Sequence, residues 1–155
     1  MPVKPIPDGY PRVIPYLAID GATKALDWYT SVLGATERMR MPGPEGTIGH
    51  AEIEFGDSLV MLADEYAEIG HLGPNKLKGT PVSICVYVED IDDVWKRALD
   101  AGATEVQQLE DKFYGDRSGT FKDPFGHSWN LMMHIEDVSP EDMEKRAAEY
   151  MRQQG

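Results

Sequence analysis

Two residue pairs in this chain have the types and spacing for proton transfer. His50 and Glu52 stand two apart in a β-rich run, and His134 and Glu136 repeat that spacing in another. Side chains two apart on a strand share a face. A carboxylate beside an imidazole can hold one ring nitrogen's proton and leave the other free to accept or donate near neutral pH. His50, Glu52 and His134 are therefore the candidate catalytic residues. Converging, they are also the one alternative set for a divalent metal in a chain otherwise expected to carry no cofactor. His71 falls in a flexible loop and His127 in a turn, so neither is well placed. Arg117, in Tyr114-Gly115-Asp116-Arg117, offers a planar fork for a carboxylate or phosphate. Equally, it pairs with Asp116 or Asp123 to hold a hairpin. Cys85 is the only cysteine, which excludes an intrachain disulfide or a cysteine-based zinc cluster. It lies in an apolar strand with no base predictably beside it, and reads as a packed small residue rather than a nucleophile.

The elements that must position these groups follow from periodicity. Val13–Ile19 is a strand, placed at an edge or bulge by Pro15. Ala22, Ala25, Leu26, Tyr29, Val32 and Leu33 mark a helix over residues 22–33, stopped by Gly34. Strands follow at 36–41, 47–55 and 58–63, the last two joined by a tight Gly56-Asp57 turn. Residues 65–80, rich in glycine, form a linker or a lid. The order then repeats. Val82–Val88 is a strand, and Asp90 or Asp92 caps a helix ended by Gly102. Strands at about 104–110, 117–122 and 127–135 complete the second unit. Ser139-Pro140-Glu141-Asp142 opens a final helix with an apolar stripe of Met143, Ala147, Tyr150 and Met151, which packs on the sheet or forms a dimer contact. The division is thus an extended arm (1–12), a βαβββ module (13–64), the loop (65–80), a second βαβββ module (81–136) and a C-terminal helix (137–155).

Short phrases confirm the duplication. Leu33-Gly34-Ala35-Thr36-Glu37 returns as Ala101-Gly102-Ala103-Thr104-Glu105, and Phe55-Gly56-Asp57-Ser58-Leu59 as Phe125-Gly126-His127-Ser128-Trp129. The paired modules, the Asp27-Trp28-Tyr29…Leu33-Gly34 helix and the Asp123-Pro124-Phe125-Gly126-His127 turn resemble the glyoxalase/bleomycin-resistance/extradiol-dioxygenase superfamily, the vicinal oxygen chelate proteins. Gly49-His50-Ala51-Glu52-Ile53, Tyr114-Gly115-Asp116-Arg117-Ser118-Gly119 and His134-Ile135-Glu136-Asp137 look like its PhnB-type, glyoxalase-like branch. The resemblance implies an α+β fold in which two half-open mixed sheets enclose a cleft. It implies a homodimer as well. In metal-dependent members one divalent ion is held by His, Glu or Gln from the first and last strands of both units. Here those positions read Ile14, Val60, Ser83 and Asn130. A two-residue shift gives Tyr16, Leu62, Cys85 and Met132. Neither set holds an imidazole or carboxylate, so the superfamily's metal is not expected, nor is glyoxalase I activity.

Alternation puts Tyr16 on the first strand's cleft face, Ser83, Cys85 and Tyr87 on its counterpart, and Asn130, Met132 and His134 on the last strand. With Tyr114 and Arg117 these form the expected ligand-binding set: apolar, adaptable walls with a few directional polar groups. The formal net charge of −12 repels phosphate backbones and anionic lipid and attracts cations. No apolar run reaches the ~20 residues of a membrane span. The expectation is a cytoplasmic homodimer that binds a small, cationic molecule, as drug-sequestering resistance proteins of the superfamily do. A lyase, isomerase or dioxygenase using His50, Glu52 and His134 is the alternative, and a scaffold with a vestigial cleft a third.

Overall fold

In the computed structural model, which describes residues 2–155, the chain divides into one unit ending at Gly79 and a second running Thr80–Gly155. The first contains β1 (Tyr16–Ile19), α1 (Ala22–Leu33), β2 (Thr36–Pro42), β3 (Ile48–Phe55) and β4 (Ser58–Asp64). Its sheet runs β1-β4-β3-β2, with β1 parallel to β4 and the remaining pairs antiparallel. β1 is an edge strand, as Pro15 requires, and the Pro15 carbonyl still accepts the Met61 amide at 2.9 Å. Residues 65–79 are part of this unit and hold a 3₁₀ turn at Ala67–Ile69 and the short α2 (Pro74–Leu77).

The second unit repeats the plan with β5 (Ser83–Tyr87), α3 (Ile91–Asp100), β6 (Thr104–Asp111), β7 (Asp116–Lys122) and β8 (Ser128–His134), ordered β5-β8-β7-β6. α4 (Pro140–Gln154) closes the chain; its Ser139 hydroxyl accepts the Asp142 amide at 3.1 Å. α1 and α3 each pack one apolar stripe on one face of their own sheet. In the first unit Leu26 and Tyr29 of α1 are buried, as are Ile19, Ile53 and Leu62 of the sheet. In the second, Ile91 and Trp95 of α3 are buried with Phe121, Trp129 and Leu131. Each such side chain contributes about 1.5–3 kcal/mol.

Two aspartates fasten the layers. Gly21 supplies no capping side chain for α1. Instead Asp64, at the end of β4, accepts the Gly21 and Ala22 amides on Oδ1 at 3.0 Å each and the Ile48 amide on Oδ2 at 2.7 Å. In the second unit Asp123 accepts the Phe125 and His127 amides on Oδ1 and the Trp129 indole N–H on Oδ2 at 2.8 Å.

Strand pairing corrects the repeat register. Tyr16 lies opposite Met61 and Tyr87 opposite Met132; 87 − 16 and 132 − 61 are both 71. The Phe-Gly phrases mislead because the hairpins differ in length. Phe55 pairs with Ser58 across two residues, whereas Lys122 pairs with Ser128 across five, so Phe125 sits inside its turn. The counterpart of Asn130 is therefore Leu59, not Val60. Val60 faces the helix side, buried opposite Ile53. Cys85, not Ser83, is the strand neighbour of Asn130 and the counterpart of Ile14.

Candidate functional site

The first unit carries an unbroken chain of side-chain hydrogen bonds on the sheet face away from α1. Alternation along β3 turns Ile48, His50 and Glu52 to that face, and Tyr16 reaches them across β4. The Tyr16 hydroxyl lies 2.8 Å from His50 Nδ1, and His50 Nε2 lies 2.9 Å from Glu52 Oε2. Glu52 Oε1 accepts the Tyr10 hydroxyl at 2.9 Å. The arm is tied down by Arg38, whose guanidinium sits 4.4 Å above the Tyr10 ring and donates to the Gly9 carbonyl at 3.0 Å.

Glu52 is only 3% exposed. Burial alone would raise its pKa, but the hydrogen bonds from His50 and Tyr10, with the nearby positive charge of His50 and Arg38, outweigh it and leave the carboxyl below its usual range. An ionised Glu52 has no proton to give, so His50 Nε2–H donates to it. Burial, then the Glu52 charge, raises the Tyr16 pKa. The phenol thus keeps its proton.

Tyr16 also forms part of a pocket of about 780 Å³. Ile48, Ala63, Tyr66, Ile69 and His71 add apolar and aromatic wall, and Glu45, Asp64 and Glu65 add carboxylates. The loop after β4 makes one side. Tyr66 and His71 are joined by two backbone hydrogen bonds, of 2.7 and 3.1 Å, which set the His71 ring edge-on to Tyr16 at 5.4 Å.

The second unit holds a related but unequal arrangement. Tyr87, the counterpart of Tyr16, donates to Asp116 Oδ2 at 2.9 Å. Register makes Asp116 the counterpart of His50, since each lies on the third strand of its sheet two residues before the partner of Met132 or Met61. His134 Nδ1 meets Asp116 Oδ1 at 2.8 Å and Nε2 meets Asp137 Oδ1 at 2.7 Å. These contacts, Asp137 first and Asp116 second, raise the His134 pKa. A separate groove of about 670 Å³ is lined by Tyr114, Ser118, Asn130, Phe113, Lys112 and Tyr150 among others.

The structure thus brings together His50, Glu52 and Tyr16, and separately Tyr87 with His134, and Tyr114 with Asn130. Ser83, Cys85 and Met132 share the β5–β8 face with Asn130 and His134. Cys85 is exposed rather than packed, 3.8 Å from the Asn130 amide nitrogen. Arg117 is on the opposite face, with Gly119 and Phe121. It pairs with Asp92 of α3 at 2.8 Å and Asp111 of β6 at 3.0 Å, not with Asp116 or Asp123. Glu136 is not the relay partner of His134 but binds Arg146 of α4 at 2.7 Å. His71 lies in a hydrogen-bonded hairpin, not an open loop. Tyr10, 42 positions before Glu52, had no local signal; Glu45 and Asp64 had none either.

With the register corrected, the positions that the resemblance marks for metal ligands become Ile14 and Leu59 in one unit and Cys85 and Asn130 in the other. Ile14 and Leu59 are hydrocarbons and offer no donor atom; Cys85 and Asn130 offer a thiol and an amide. Among the described residues no group of three or more His, Cys, Asp or Glu is arranged to hold a metal. Nor, among them, is any helix long and apolar enough to cross a membrane.

An uncharacterized protein of Mycobacterium bovis is 39% identical over 137 residues, 86% of this chain and 90% of its own length. The crystal structure of TioX from Micromonospora sp. ML1 matches with TM-score 0.62 at 28% identity, covering 83% of this chain and all of that one. TnmS3, an antibiotic binding protein from Streptomyces sp. CB03234, matches with TM-score 0.59 at 18% identity, covering 81% of this chain and 99% of its own. A family profile matches residues 13–131. The chain belongs to the Glyoxalase/Bleomycin resistance protein/Dioxygenase superfamily.

Proposed function

We propose that this protein binds and sequesters a small molecule, a drug or metabolite, at the sheet face of its first unit. The observation that carries the reading is the Tyr16 hydroxyl, held at the wall of a largely apolar pocket by His50 and buried Glu52. Apolar walls with a few oriented polar groups suit ligand capture. TnmS3 shares the fold and binds an antibiotic, which supports the same use here. The groove beside Tyr114 and Asn130 is a second, more polar surface for the same ligand. A homodimer in the cytoplasm is the expected form, to be checked by light scattering and by fractionation.

The same hydrogen-bond chain favours one other reading. Tyr16, backed by His50 and Glu52, is a general acid–base group for a lyase or isomerase, with His134 a further candidate in the second unit. One experiment separates the two. Purified protein is titrated calorimetrically with bleomycin and other antibiotics, and each mixture is then analysed by mass spectrometry after prolonged incubation. Stoichiometric binding that weakens about tenfold in Tyr16→Phe, with the ligand recovered intact, is the expected result. Turnover abolished by Glu52→Gln would establish the enzyme instead. Tight binding unaffected by Tyr16→Phe would move the site elsewhere.

A further inference from the structure

The N-terminal arm touches the first unit's site in a way that the binding role does not use. Residues 2–15 form no helix or strand, and residues 2–9 and 11–13 are exposed. Local bonds shape the arm without attaching it. The Tyr10 amide turns back on the Pro7 carbonyl at 3.3 Å, and Lys4 pairs with Asp8 at 2.9 Å. The attachment is made by Tyr10, half-buried between exposed neighbours. Its hydroxyl donates to Glu52 Oε1 at 2.9 Å, and its ring lies 4.4 Å from the Arg38 guanidinium. The same guanidinium donates to the Gly9 carbonyl at 3.0 Å and stands 3.8 Å from Glu52. These attachments land on two side chains that face each other, so they form and break together.

A second observation concerns what the arm covers. Glu52 is only 3% exposed; Tyr10 occupies Oε1, and His50 Nε2 lies 2.9 Å from Oε2. The arm therefore supplies one of the donors that make this buried charge tolerable. When the arm leaves, water reaches Glu52 and competes for both oxygens. A hydrogen bond to a solvated carboxylate is weaker than one in a low-dielectric site. The His50 ring is then held less firmly, and so is the Tyr16 hydroxyl, which lies 2.8 Å from Nδ1 at the pocket wall. From arm to pocket the hydrogen bonds run unbroken through Tyr10, Glu52, His50 and Tyr16. A segment with so few buried contacts sits at the low-stability end of a fold and opens without global unfolding.

We propose that the arm is a clasp on this site: with Tyr10 seated on Glu52, Tyr16 is fixed for ligand, and with the arm released the site is slack. Tyr10 is a positioning residue that acts on the pocket through Glu52 and His50. The proposal rests on the binding reading above and adds the regulation of that site. Linkage makes the effect reciprocal: seating the arm tightens the ligand, and a ligand held by Tyr16 seats the arm.

NMR of the full chain tests the clasp without a ligand. Seating is read from the Arg38 Nε–H, which the Tyr10 ring shifts upfield, and from the ¹H–¹⁵N NOE of the Gly9 amide. The site is read from the His50 ring nitrogens and the Tyr16 ring carbons. Tyr10→Phe keeps a ring for Arg38 and removes the hydroxyl. It should lower the Gly9 NOE and move the His50 and Tyr16 signals. Tyr16→Phe, at the other end, should reduce the Arg38 shift. Lys4→Gln, on the arm but paired only with Asp8, should change none of these. In calorimetric titration with bleomycin, Tyr10→Phe should weaken binding about fivefold. If Tyr10→Phe frees the arm while the His50 and Tyr16 signals stay in place, or if Tyr16→Phe leaves Arg38 unmoved, the arm is only a surface attachment and the proposal is overturned. It is overturned too if bleomycin binds the wild type and Tyr10→Phe alike. If neither bleomycin nor another antibiotic binds while the ring signals respond as stated, the clasp stands and the binding reading falls.

Discussion

Glu52 shows how a single buried charge can organise a site. It is held by Tyr10, His50 and Arg38, so its desolvation cost is offset locally. Glu52→Gln keeps the shape but removes the charge that orients the His50 ring. Urea unfolding should show a loss of about 1–3 kcal/mol. His134 supplies a pH test. Asp137, then Asp116, raises its pKa in the folded chain above the unfolded value of about 6.5. The stabilisation is then fully present below that unfolded value and lost as pH rises through the raised one. Thermal melts across this window should slope downward with pH in the wild type and flatten in His134→Gln. An NMR titration of Asp137→Asn should show the His134 pKa moving down. The sequence offered Glu136 as this partner because it keeps the two-residue spacing. β8 ends at His134, however, and the amides of Ile135 and Glu136 both bond the Gly115 carbonyl, at 2.9 and 3.0 Å. Alternation stops there, and Glu136 turns to Arg146.

At the scale of elements, the contacts that fix a helix to its sheet are few and specific. Asp64 caps α1 from another element, so Asp64→Ala should destabilise by about 1–2 kcal/mol. Amide exchange should quicken first at Gly21, Ala22 and Ile48. In the second unit α3 approaches β7 at Gly119, where an added Cβ would stand 2.8 Å from the Trp95 ring. Gly119→Ala should therefore cost about 1–3 kcal/mol by forcing Trp95 aside, measured by urea unfolding and near-ultraviolet dichroism. The strands and helices themselves were readable from periodicity: α1 falls at the predicted 22–33, and β3 and β4 within a residue of expectation. What misled was the hairpin. A shared Phe-Gly phrase aligned a two-residue turn with a five-residue one, moving Val60 into the place of Leu59.

Across the whole molecule the net charge of −12 acts on stability. Self-repulsion among unpaired carboxylates is screened by salt, so the melting temperature should rise from low to physiological ionic strength. A melting temperature that falls instead would show that ion pairs such as Arg117–Asp92 outweigh the repulsion. The sequence by itself determined the duplicated βαβββ order and the faces of α1 and α3 that are buried, because periodicity and turn chemistry are local and each unit follows from them; the superfamily was legible only through the resemblance of its motifs. It also marked His50 and Glu52 as partners, since a strand's alternation fixes which neighbours share a face. Only the tertiary structure decided that Tyr10 seats on Glu52, that Tyr16 reaches His50 across β4, and that Arg117 faces α3. Those contacts join residues far apart in the chain, where pairing register, hairpin length and loop path, not spacing, set which atoms meet.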